Sequence, residues 1–150
     1  MIAVSLVIER KENDEMDLRH TRCVGDGVNG DVPVQAAAIQ DCPAPPGAVR
    51  AALPSGLPAA LREKMGNVAL PGEPFNEIDV YVKGQPSRRY IFVWNMGSRW
   101  IVATEQGGFA LRGAVFIYDL GKDNKTATLI DNRTTFPSSV CAVATKLTER

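Results

Sequence analysis

From Leu57 onward the spacing of apolar residues changes character twice. Leu57, Leu61 and Met65 recur every four residues, behind Pro58 and ahead of Gly66, which predicts one short amphipathic helix over 57–65 ending in a left-handed glycine. Past the turn residues Pro71-Gly72-Glu73-Pro74 the period falls to two and predicts strands at 78–83, 89–94, 98–105, 112–120 and 125–131. The links between them carry Gly84, Gly97, Gly107-Gly108 and Gly121, and they are too short for a helical crossover, so neighbours run antiparallel. Pro137 and Ser138 open a closing helix with Val140, Val143, Ala144 and Leu147 on one stripe and Cys141 at its edge. The expected fold is α+β: an antiparallel five-stranded β-meander flanked by an N-terminal and a C-terminal helix.

Residues 1–56 lack such periodicity over most of their length. Gly25-Asp26-Gly27, Pro33, Cys42-Pro43-Ala44-Pro45-Pro46-Gly47 and Pro54-Ser55-Gly56 mark a largely irregular or flexible N-terminal segment that can pack on the sheet, with 57–150 as the sheet domain. Two short elements are expected within it, a strand over Ile2–Ile8 and a turn of helix over Gln35–Gln40 behind Pro33. Ile2–Ile8 lacks a basic stretch before it, and a charged run from Glu9 to Glu15 follows where a leader would carry small residues, so a secretion signal is not expected.

The aromatic residues raise the first functional question. Tyr90, Phe92 and Trp94 alternate with Ile91 and Val93. With Asn95-Met96-Gly97 as a three-residue hairpin loop, Phe92 lies across from Trp100, and Tyr90, Phe92, Trp94 and Trp100 share one face. A two-residue loop would instead place Trp100 with Val93, because a slip of one residue reverses every side chain. The three-residue loop is the expectation. Both sheet faces then read as apolar, and two short helices cover about one of them; the front segment, a second subunit or a ligand must cover the other.

Charge and composition narrow the partners. The chain has 150 residues, 45% of them hydrophobic, which fits one domain. Seventeen Lys and Arg balance seventeen Asp and Glu, so no broad positive field exists to gather nucleic acid or an anionic membrane. No apolar run approaches the ~18 residues a spanning helix needs. A soluble protein with neither nucleic-acid nor membrane partners is expected. Arg88, Arg89, Arg99 and Arg112 lie near strand ends, where they read as solvated edge charges or, more sharply, as an anion site at one rim. Glu105 and Asp119 sit on apolar-patterned strands and so need a partner or the surface.

Catalytic and cofactor motifs fall short on context. Gly25–Val32 matches G-x-G-x-x-G, but a polar stretch leads into it and Pro33 interrupts the exit, so neither a dinucleotide nor a phosphate site follows. In the same loop Val28 and Gly30 fall where a calcium loop places oxygen ligands. His20 is the single histidine and lies outside the predicted sheet, which removes a histidine-based triad. Asn124-Lys125-Thr126 and Asn132-Arg133-Thr134 have glycosylation spacing that matters only on a eukaryotic secretory route. Cys23, Cys42 and Cys141 form no C-x-x-C pair. They are either three thiols in a reducing cytoplasm, the slightly favoured compartment, or a Cys42–Cys141 bridge plus a spare thiol in an oxidising one.

The pattern is similar to small bacterial α+β proteins, a likeness that assigns no site residue. The leading expectation is a non-enzymatic binding or interaction module, without cofactor or metal, that engages a protein, a second copy of itself or an apolar ligand through the aromatic face or an exposed sheet edge. Its candidate residues are Tyr90, Trp94, Trp100, Arg88, Arg99, Arg112 and Glu105. The alternative is an enzyme of unfamiliar type with Glu105 or Asp119 as acid or base and arginines holding an anionic substrate.

Overall fold

A computed structural model describes residues 42–149. The readings at 1–41, including the Ile2–Ile8 strand, the Gln35–Gln40 helix, the glycine loop, His20 and Cys23, lie outside the described residues. Five antiparallel strands form one sheet in sequence order: β1 (Val49–Arg50), β2 (Arg88–Met96), β3 (Arg99–Gln106), β4 (Arg112–Leu120) and β5 (Ala127–Thr135). Helix α1 (Ala59–Met65) precedes the four long strands, and a 3-10 turn (Pro137–Ser139) leads into helix α2 (Val140–Thr148) after them. The class is the α+β architecture the periodicity implies.

Its first strand is not the one expected. Ile78–Lys83 alternates, yet it forms no strand. Period two marks a segment able to be a strand, and a strand also needs a neighbour for its N–H and C=O groups. Here the buried Asn76 fills that role: its Nδ2 donates to the carbonyls of Val82 and Gln85 at 3.3 and 2.8 Å, and Val82 N donates to its Oδ1 at 2.8 Å. The segment is thereby closed into a loop with Ile78, Val80, Tyr81 and Val82 exposed. The fifth strand comes instead from the proline-rich front segment, where Val49 pairs with Asn95 and Arg50 with Trp94. β5 also lies later than the expected 125–131, because Gly121 to Lys125 close the turn through Asn124 N to Gly121 O and Gly121 N to Thr126 O bonds.

The β2–β3 hairpin corrects the shared aromatic face. Met96 pairs with Arg99 and Asn95 with Trp100, leaving Gly97-Ser98 as a two-residue loop with Gly97 at φ 77°. This is a tight hairpin of the kind that glycine permits. A bulge between Tyr90 and Phe92 then sends the alternation out of phase across Ile91. As a result Ile91, Phe92 and Trp94 join Ile101, Ala103, Val115 and Ile117 under α2, whereas Tyr90, Val93 and Trp100 join Val102, Tyr118 and Leu120 under α1.

Each face has one helix and part of the front segment over it. Val140, Ala144 and Leu147 of α2 pack with Cys42, and Ala44 and Ala48 flank them. Gly113 admits this helix, since a Cβ there would overlap Val140 Cγ2. On the opposite face Ala60, Leu61 and Met65 of α1 pack with Leu57, flanked by Ala51 and Leu53. Gly66 ends α1 at a positive φ of 67° that favours glycine, but its ψ of −145° differs from the left-handed cap expected there, and its N–H still bonds to the Arg62 carbonyl. Cys42 and Cys141 are joined by a disulfide, with Cα atoms 5.6 Å apart, that ties the front segment to α2. Residues 42–56 are therefore integral to the sheet domain.

Candidate binding surface

The aromatic candidates are core residues. Trp94 and Trp100 are 0% and 5% exposed and lie on opposite faces. Phe92 stacks on Trp94 with ring centroids 4.4 Å apart. Among the described residues neither indole N–H finds a hydrogen-bond partner, and neither does the hydroxyl of the buried Thr104. Tyr90 and Tyr118 line the α1 face, and burial raises the pKa of both, with the nearby Arg88 charge opposing the rise. No aromatic platform is open to a ligand at these positions.

The arginines divide between the two ends of the sheet. Arg88 pairs across the ladder with Gln106, and Gln106 with Arg112, so these two arginines share one end; Arg99 pairs with Met96 and Asp119 at the other. They do not form one rim. Arg88 donates to the Met65 carbonyl at the end of α1, which fastens helix to strand. Arg99 Nε donates to Asp119 Oδ1 at 3.1 Å, and that bond, with the Asp119 charge, pushes the Arg99 pKa up. Arg112 is exposed.

Glu105 is buried and firmly paired. Arg89, which sequence reading left among the edge charges, donates to its Oε2 through Nη2 at 2.6 Å and Nε at 3.0 Å. The same guanidinium lies over the Phe75 ring at 4.4 Å and reaches Glu77 at 3.6 Å. Such an assembly anchors the 71–87 loop to β2 and β3. Glu105 and Asp119 stand at opposite ends of the sheet, each taken up by an arginine, so they do not converge on a common substrate.

What remains open is at the sheet edges and in loops. β2 is shielded along its outer side: Val49–Arg50 cover one end, and Ala69 covers the other through Ala69 N to Arg88 O and Tyr90 N to Ala69 O bonds, both 2.9 Å. β5 is different. Among the described residues no strand pairs with its outer side, and Leu129 and Ile130 are 47% and 52% exposed. A second bulge, between Leu129 and Asp131, leaves Ile130 unpaired with β4. Beyond it Arg133 Nη2 meets Asp131 Oδ2 at 2.9 Å. Phe109, beside Gly107 and Gly108, is exposed near the Asn76 loop, against which Gly107 packs so closely that a Cβ would overlap the Asn76 carbonyl.

No cluster of three or more His, Cys, Asp or Glu suited to a metal occurs among the described residues, and no helix there is long and apolar enough to cross a membrane. Comparison of the chain with protein-family models, curated proteins and solved structures finds no match.

Proposed function

We propose that this chain is a non-enzymatic protein-interaction module that takes up an added strand along β5. The inequality of the two sheet edges carries the reading: β2 is covered at both ends, and the nine-residue β5 exposes apolar side chains beside an outer edge without a pairing strand among the described residues. An unpaired ladder of N–H and C=O groups supplies affinity to an extended segment, and the side chains beside it supply selectivity. Recognition by an aromatic face loses support because Trp94 and Trp100 are both covered. The acid/base alternative loses support because Glu105 and Asp119 are separated and paired. A working compartment that is oxidising, rather than the cytoplasm, is favoured by the Cys42–Cys141 bridge.

Selection from a displayed library of short random peptides tests this. Enriched sequences should be rich in alternating β-branched residues, and Ile130→Lys should weaken their binding about tenfold or more, because a charge on an exposed edge opposes strand addition. Val80→Lys in the Asn76 loop should leave binding intact. Peptides that bind the Ile130→Lys protein equally well, or that are lost on Val80→Lys, would overturn the proposal.

A further inference from the structure

We infer that the strand added to β5 is β5 of a second copy, paired antiparallel about a two-fold axis at Asn132. The inference rests on the reading of β5 as the open edge and goes further by naming partner and register. A two-fold axis perpendicular to the sheet keeps each face continuous, so residues that oppose one another across it have the same parity. With Asn132 opposite Asn132 of the partner strand, Asp131 of each copy faces Arg133 of the other. Both pairs fall on the α2 face, since Asp131 pairs with Ile117 and Arg133 with Val115 inside each sheet.

The neighbouring alignments lack this complementarity. Moving the axis to residue 131 sets Asp131 against Asp131, and moving it to 133 sets Arg133 against Arg133. Like charges directly opposed are unfavourable and opposite charges favourable, so the charge pattern selects one register of the three. The ion pair within each strand, at 2.9 Å, need not break. Two such pairs merge into a four-charge cluster of alternating sign. Two copies of Asn132, which is exposed, stand at the axis with amides able to bond to each other.

Sedimentation of charge variants tests register and partner together. The wild-type chain is expected to dimerise, and D131R and R133D are each expected to weaken self-association about tenfold, because each replaces two attractive contacts with two repulsive ones. The D131R chain carries two positive charges at these positions and the R133D chain two negative, so an equimolar mixture should recover a mixed dimer. The D131R/R133D double variant should recover the homodimer, which separates lost pairing from lost folding. A wild-type chain that stays monomeric at ~100 μM overturns the inference, and peptide binding sensitive to Ile130→Lys would then leave the β5 reading standing. Dimers weakened by Ile130→Lys but not recovered by mixing overturn the register proposed. Dimers indifferent to all these changes place the contact elsewhere and overturn the inference as well.

Discussion

Reduction of the Cys42–Cys141 disulfide should remove a large share of the stability of this fold. The bridge joins residues 99 apart in sequence, and closing a loop of that size is worth about 4 to 5 kcal/mol at 25 °C in the chain-entropy treatment. Domains of ordinary size hold only about 5 to 15 kcal/mol in total. With a urea dependence of about 2 kcal/mol per molar, the unfolding midpoint should fall by roughly 2 M when the bridge is reduced. Locally, the front segment would lose its covalent hold on α2 and keep only the packing of Cys42, Ala44 and Ala48 on that face. Urea titration followed by the fluorescence of the buried Trp94 and Trp100, with and without reductant, measures the shift. Mass measurement after alkylation counts the thiols in each sample. The C42A/C141A variant should match the reduced protein and ignore reductant. A midpoint that moves by less than ~0.5 M would refute the reasoning and show the front segment to be held by its packing and its pairing with β2 without the bridge.

Glu105→Gln keeps the shape and removes the charge facing Arg89, and it should cost about 2 kcal/mol in urea unfolding, less than the loss of a fully isolated buried pair because Glu77 and the Phe75 ring remain beside the guanidinium; no measurable cost would show that Glu77 replaces Glu105. For Tyr90 and Tyr118 the folded pKa lies above the unfolded one, so their contribution to stability is whole below about pH 10 and is lost as pH rises through the folded values. Alkaline unfolding curves should therefore flatten in the Y90F/Y118F double variant, and an unchanged slope would assign the pH dependence elsewhere. Gly107→Ala should destabilise by about 2 to 3 kcal/mol because its new Cβ would run into the Asn76 carbonyl and Glu77 Cα, both backbone atoms; calorimetry showing no loss would mean that the loop yields easily.

Strands β2, β3 and β4 were legible because each satisfies period two and each has a sequence neighbour to pair with through a short glycine turn. Ile78–Lys83 has the same period and failed as a strand, since alternation says nothing about whether a partner edge is available, and a single buried asparagine can satisfy the local backbone instead. Conversely, Val49–Arg50 is too short to show any period and sits among prolines and glycines, yet it pairs with β2. The aromatic face was misplaced by two local events: one residue of hairpin loop and one bulge at Ile91, each enough to invert the side chains beyond it. Arg89 could have been separated from the other arginines by its place beside an apolar-patterned carboxylate strand, although its partner Glu105 follows only from the ladder register. The open edge of β5 among the described residues is a property of topology: the sequence shows that a last strand exists, and only the sheet order shows that it ends the row of described strands.

Covering β2 at both ends has a consequence for assembly size. If one flank of every sheet is already occupied by Ala69 and Val49–Arg50, β5 is the one long strand edge left open among the described residues, and a symmetric pairing there would use it on both chains at once. Under the proposed pairing growth would halt at a closed pair, and the edge strand would lead to a finite object instead of a fibre.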